Sequence, residues 1–218
     1  MKEKKDILNF HVFLNDLRNA LSDPLPGVIA QAKLAPPYRQ VELRNTLTDD
    51  LIRDSAVLIL LWQEDDQIFT AFVLRTEYEG FHSNQIAFPG GKYEKSDADF
   101  VATALREAQE EVGIIPATIT ILGQLTPLLI PLSRFLVYPI VAYTKIKPDF
   151  IIDPIEIKKV IPCPLFDFLE PDHFVIQDME VRGKIINDIP CYKTGEHLIW
   201  GATAMIFNEL LEIIKPIV

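Results

Sequence analysis

The sequence predicts an α+β fold, an α/β/α sandwich around a mixed sheet. Three observations carry this expectation. Apolar residues recur at helical spacing near both ends and once in the middle of the chain, as amphipathic helices require. Short apolar runs of strand length lie between those helices. The order is helix, hairpin, loop, helix, strands, helix, without the regular strand–helix alternation of a purely parallel sheet.

The first helix is expected from Lys5 to about Leu21, with Ile7, Phe10, Phe13, Leu14, Leu17 and Leu21 on one face. Asp23-Pro-Leu-Pro-Gly27 stops it, because proline cannot continue a helix and glycine tolerates the exit. A coil follows, marked by Ala35-Pro-Pro-Tyr-Arg39. Ala56–Trp62 reads as a buried strand, Gln63–Gln67 as a polar turn and Ile68–Leu74 as the returning strand, which makes a hairpin. A loop rich in Gly, His, Ser and Asn then closes at Phe88-Pro-Gly-Gly91. The next helix, Phe100–Val112, has the clearest bounds. Ser96, Asp97 and Asp99 offer N-cap oxygens and Gly113 a C-cap. Thr118–Leu125, Phe135–Tyr143 and Lys158–Pro162 read as strands, and Ala202–Ile214 as the closing helix.

Composition bounds the function. With 218 residues and 49% hydrophobic content, the chain can bury the core of one compact domain or two small ones. Lys and Arg number 21 against 31 Asp and Glu, a net charge of −10. That balance argues against nucleic acid as a partner, since counterion release needs a basic surface. A membrane span is not expected either. The best candidate, Leu128 to Tyr143, contains Arg134, Pro131 and Pro139 and reads as two strands. The opening MKEKKDILNFHVFLNDL lacks the apolar region of a signal peptide. Cys163 and Cys191 show no Cys-x-x-Cys spacing, so neither a disulfide framework nor a zinc site is expected, and a cytoplasmic home is.

The middle helix carries the chemistry. At 100° per residue, Val101, Leu105, Ala108 and Val112 fall in a stripe roughly 60° wide, and Glu107, Glu110 and Glu111 lie within about 100° of one another on a neighbouring face. Like charges three and four residues apart repel, and they oppose the helix dipole near its C-terminal end. A hard cation such as Mg²⁺ would reverse both penalties. Pro89-Gly90-Gly91 lets main-chain groups approach a ligand closely.

Gly91, Asp97 and Arg106-Glu107-Ala108-Gln109-Glu110-Glu111-Val112-Gly113-Ile114 together resemble the box of the Nudix hydrolase family, G-x5-E-x7-R-E-U-x-E-E-x-G-U, where U is a bulky aliphatic residue. Asp97 stands for the first Glu, one additional residue precedes Arg106, and Ala108 is smaller than usual. The upstream segment Arg75-Thr-Glu-Tyr-Glu-Gly-Phe-His82-Ser-Asn-Gln85-Ile-Ala-Phe-Pro-Gly-Gly91 is similar to that of the coenzyme A diphosphatases. Those proteins have Arg-Ser, then His-x-Gly-Gln, then Phe-Pro-Gly-Gly. Here Thr76 replaces Ser and Asn84 replaces Gly, and Asn is the residue other than Gly best suited to positive φ. The resemblance takes in Pro131–Pro139 and Ile199–Ala204 and covers most of the chain from about Ala35.

The resemblance implies an N-terminal helix and extended arm over 1–48, a Nudix core over 49–190 and a C-terminal helix packing on it over 191–218. It implies Mg²⁺- or Mn²⁺-dependent hydrolysis of the pyrophosphate bond of coenzyme A, and of its thioesters, to 4′-phosphopantetheine and adenosine 3′,5′-bisphosphate. Glu107 and Glu111 are then the principal metal ligands, Glu110 a further ligand or a base acting through water, and Gly91 a carbonyl ligand. Arg106 orients a glutamate. Arg75 and Lys92 are candidate phosphate contacts, and His82 and Gln85 contact substrate or fix the loop. Arg134 is a candidate for the adenosine 3′-phosphate, while Trp62 and Trp200 read as core. A remote general base would be Glu156, Glu170 or Glu196, which sequence does not rank. Two alternatives stand: a Nudix enzyme for a nucleotide sugar, dinucleotide or nucleoside triphosphate, or a non-catalytic nucleotide-binding module. The first helix and Leu210–Ile214 could cover either the core or the two-fold partner of a homodimer.

Overall fold

The computed structural model describes residues 9–42, 52–76, 85–181 and 183–218. Helix α1 (Phe10–Ser22) begins at Asn9, whose side-chain oxygen accepts the His11 and Val12 N–H groups at 3.0 and 3.4 Å. It ends where Asp23 becomes extended. Phe10, Phe13, Leu14, Leu17 and Leu21 form its buried stripe, as their spacing predicts; the expected start at Lys5 and Ile7 lies outside the described residues. The stretch that reads as coil holds two short helices, α2 (Gly27–Ala32) and α3 (Pro37–Glu42). Six residues are too few to show a helical period, and helices this short are held by tertiary contacts rather than by propensity.

Strands β1 (Arg53–Glu64) and β2 (Gln67–Arg75) form the expected hairpin, paired from Trp62↔Phe69 to Glu64↔Gln67. The turn is therefore only Asp65-Asp66, with Asp65 at φ 52°. The sheet runs β3 (Ile86–Ala87), β2, β1, β7 (Phe135–Thr144) and β5 (Ile119–Gln124). Strand β4 (Gly90–Lys92) pairs with β1, β6 (Leu128–Ile130) with β7 and β8 (Ile157–Pro164) with β2. β1 and β7 are parallel and the other pairs antiparallel, so the sheet is mixed.

Helix α4 (Phe100–Val112) covers one face, packing Ala104, Ala108 and Val112 on Ala56, Leu58, Leu60, Ile140 and Ala142. Helices α1 and α5 (Gly201–Ile214) cover the other, over Ile59, Leu61, Phe72 and Val141. Alternate residues of β1 thus serve opposite layers, which is why its sequence is continuously apolar. The apolar stripe of α1 and Leu210–Ile214 cover this chain's own core, one of the two occupants the sequence leaves open.

A second sheet, β9 (Phe174–Val181), β10 (Lys184–Thr194) and β11 (His197–Trp200), is not expected from sequence. Its alternation is broken at Asn187-Asp188, where the register shifts between Ile186 and Ile189 and Asp188 sits at φ 58°. The boundary drawn at 190/191 falls inside β10. No described helix is long and apolar enough to cross a membrane. Cys163 and Cys191 are buried free thiols, and burial pushes the Cys191 thiol up to about 11.

Candidate active site

One glycine, Gly91, decides how closely α4 approaches β4, and its neighbour Gly90 how closely β4 approaches β1. A Cβ on Gly90 would collide with the Val57 Cα at 2.6 Å, and one on Gly91 would fall inside the Glu107 carboxylate. Without those side chains, Glu107 lies against the main chain of β4. Glu111 passes beneath, 2% exposed, with its Oε2 accepting the Gly90 N–H at 2.9 Å. The fully buried face of α4 is therefore Thr103, Ala104, Ala108, Glu111 and Val112, while Val101 and Leu105 are half-buried. This corrects the sequence-based stripe: the helix is rolled toward its carboxylates, and only Glu110, with a side chain 60% exposed, projects from the edge.

Arg106 organises the cluster. Its Nε and Nη2 grip Asp97 at 2.9 and 3.0 Å, Nη1 donates to Glu107 Oε1 at 2.9 Å and Glu110 Oε2 at 3.1 Å, and Nη2 also donates to the Lys92 carbonyl at 3.0 Å. Those contacts use every N–H a guanidinium has. Asp97, which also offers itself as a cap in the sequence, instead takes the Glu94 N–H and Thr103 hydroxyl, both at 2.9 Å. Asp99 is the residue that caps α4, accepting the Ala102 N–H at 2.8 Å. At the other end Gly113 is left-handed at φ 72°, as expected of a C-cap.

Arg106 holds the Asp97 carboxyl down at about 2, against an ordinary 3.8. A pKa lowered by folding stabilises above the unfolded value and is lost as pH falls through the folded one. Asp97→Asn should therefore cost about 1–2 kcal/mol near neutral pH. Urea melts should show the gap from wild type closing as pH drops from about 4 toward 2. A pH-independent gap would mean the carboxylate is not what Arg106 binds.

Glu111 is bridged from the other side. Arg75 Nη1 donates to Glu111 Oε1 at 2.6 Å and its Nη2 to Glu156 Oε2 at 3.1 Å. Burial pushes the Glu111 carboxyl up to about 7 against the pull of Arg75 and the Gly90 N–H, and burial also raises Glu107. Among the described residues no three His, Cys, Asp or Glu side chains converge into a ready cage; instead Arg75 bridges Glu111 and Glu156, and Arg106 joins Asp97, Glu107 and Glu110.

The other candidates separate by position. Glu156 adjoins the cluster through Arg75. β8 runs from Ile157 beside Arg75 to Pro164 beside Phe69, so Glu170 lies past its far end, and Glu196 is on the exposed β10–β11 turn. Arg75, expected at phosphate oxygens, is turned onto carboxylates. Lys92 is exposed and serves Arg106 through its carbonyl. Gln85 is half-buried, and its main-chain carbonyl accepts the main-chain N–H of Arg75 at 3.1 Å. His82 lies outside the described residues. Arg134 is exposed in the β6–β7 turn at φ 55°. Trp62 is core, stacked on Phe69 at 5.7 Å, and Trp200 is half-buried at the start of α5. The Asp97–Arg106 and Arg75–Glu156 links were not anticipated; only the place of Asp97 in the box hinted at the first.

The family described as NUDIX domain matches residues 52–164. A protein of Photorhabdus laumondii named "Uncharacterized Nudix hydrolase NudL" is 37% identical over 134 residues, 62% of this chain and 71% of that one. "Nudix hydrolase 15, mitochondrial" of Arabidopsis thaliana is 34% identical over 158 residues, 69% of this chain but only 54% of its own length. The crystal structure of a MutT/nudix family protein from Enterococcus faecalis shares the fold, with a TM-score of 0.50 at 15% identity over 85% of this chain and 72% of that one.

Proposed function

The chain belongs to the Nudix family and is a pyrophosphohydrolase acting on a diphosphate substrate, and from that premise we propose that the substrate is coenzyme A or its thioesters. The products are 4′-phosphopantetheine and adenosine 3′,5′-bisphosphate. One observation carries the assignment. In the segment that resembles the coenzyme A diphosphatases, its first residue Arg75 and its penultimate residue Gly90 bond the same buried carboxylate, Glu111. Both described flanks of that segment thus sit at the catalytic cluster.

Mg²⁺ or Mn²⁺ fits the donor set, because Mg²⁺ binds through one or two carboxylates and completes its shell with water and substrate phosphate. Glu107 and Glu111 would hold it, with Glu110 and the Gly91 carbonyl as further ligands. When bound, the ion neutralises the diphosphate and lowers the pKa of a coordinated water. Arg106 keeps Glu107 and Glu110 in one orientation. Glu156, the remote glutamate nearest the cluster, accepts the proton of the attacking water. Gln85 and His82 contact the substrate, and Lys92 meets its phosphates. The two buried free thiols suit a reducing compartment, and we place the enzyme in the cytoplasm.

Incubating the full chain with coenzyme A and Mg²⁺ or Mn²⁺, then identifying products by mass spectrometry, tests the assignment. The two named products are expected. Much faster cleavage of a nucleotide sugar, a dinucleotide or a nucleoside triphosphate would transfer the assignment to that compound.

A further inference from the structure

Arg75 occupies an irregular place in the sheet. The register between β2 and β8 steps from Leu74↔Lys159 to Arg75↔Ile157, a bulge at the last residue of β2. Bulges re-aim side chains, and this one accompanies a guanidinium only 16% exposed that spans Glu111 and Glu156. The Gly90 N–H takes the second oxygen of Glu111. Both oxygens of that buried carboxylate are thus engaged by the protein, one of them by a full positive charge.

Glu156 is fixed from behind. The Asp153 carbonyl accepts the Glu156 and Ile157 N–H groups at 3.2 and 2.8 Å, the Asp153 N–H donates to the Glu111 carbonyl at 2.9 Å, and the Thr76 N–H donates to the Glu156 carbonyl at 2.9 Å. One guanidinium therefore joins α4, the end of β2 and the 153–156 turn. A dication and a guanidinium on the same carboxylate oxygen repel strongly at the reduced dielectric of a half-buried site.

We propose that Arg75 is the resident counter-cation of the site: it holds Glu111 and Glu156 together until a divalent ion displaces it from Glu111, and then turns to the phosphates of the substrate. This rests on the metal-dependent hydrolysis assigned above and adds an order to it, metal first and anion second. Arg75 is a positioning residue in the metal-free protein and a phosphate contact only after displacement.

Calorimetric titration of the metal-free full chain with Mn²⁺, without substrate, separates the ideas. Arg75→Gln should bind Mn²⁺ roughly tenfold more tightly than wild type, and Arg75→Lys, which keeps the charge, should bind like wild type. A merely structural arginine would not tighten metal binding when removed. Unchanged or weaker binding by a folded Arg75→Gln protein overturns the proposal. Should that variant fail to fold, NMR of the Arg75 Nε–H in the wild type decides: its resonance should move on Mg²⁺ saturation, and a fixed resonance overturns the displacement. Absence of Mn²⁺ uptake by the wild type would instead remove the metal-dependent reading itself.

Discussion

Glu107→Gln is expected to lower turnover of the diphosphate substrate by at least about 100-fold, the loss typical of removing a preorganised charge from the reacting centre. Glu107 has one oxygen on Arg106 and its carboxylate against Gly91, so it reaches the site from a fixed place. Its burial, with Glu110 and Glu156 nearby, disfavours the charged form in the metal-free protein. The amide removes that penalty while keeping the shape. Metal-free Glu107→Gln should therefore melt no lower than wild type, the trade between function and stability seen at active sites. Glu110→Gln provides the contrast. Its side chain is 60% exposed and pairs with Arg106, so the expected loss is less than about tenfold. Steady-state rates with saturating Mg²⁺ give both numbers. A Glu107→Gln enzyme within tenfold of wild type would remove Glu107 from the metal shell.

Why the carboxylates were legible and their pairing was not follows from range. Helical spacing is local, so Glu107, Glu110 and Glu111 could be placed on one side of α4 from sequence, as could the caps Asp99 and Gly113. The roll of that helix depends on contacts with β4. Gly90 and Gly91 announce a close approach, yet nothing in a helical projection says that Glu107 fills the space beside Gly91 while β1 fills that beside Gly90. The reach of Arg75 to Glu156 crosses 81 positions and is set by a bulge that has no sequence signature. The same distinction holds for the fold. The apolar run of β1 reads as a buried strand because both its faces are covered. Strand β9 escapes notice because Ile176, 60% exposed, and its polar neighbours lie at the surface and give no buried alternation. Helix α2 escapes because its partner, α5, lies at the other end of the chain.

That partnership supports the second large effect. Glu209 on α5 is fully buried and opposed by neutral donors: Oε1 accepts the Gly27 and Thr126 N–H groups at 3.1 and 3.3 Å, and Oε2 accepts Gln31 Nε2 at 2.8 Å. Gly27 is the first residue of α2, and Pro26 before it provides no side-chain cap, so the carboxylate of a distant helix does the capping. Beside it Asn208 donates to the Ala30 carbonyl at 2.7 Å and accepts the Tyr192 hydroxyl at 2.6 Å. Glu209→Ala would strand three donors in the interior and open a cavity, at a cost of about 3–5 kcal/mol. For a chain of this size that lowers the melting temperature by roughly 10 °C. Glu209→Gln keeps the volume and one acceptor but points an amide N–H₂ at a donor, and about 1–2 kcal/mol is expected. Hydrogen exchange should locate the damage first in Gly27–Ala32, since that helix is too short to persist unaided. Denaturant melts of both variants measure the costs. If Glu209→Ala unfolds within 1 kcal/mol of wild type, water must reach those donors without penalty, and the N-terminal arm is held by its apolar contacts alone.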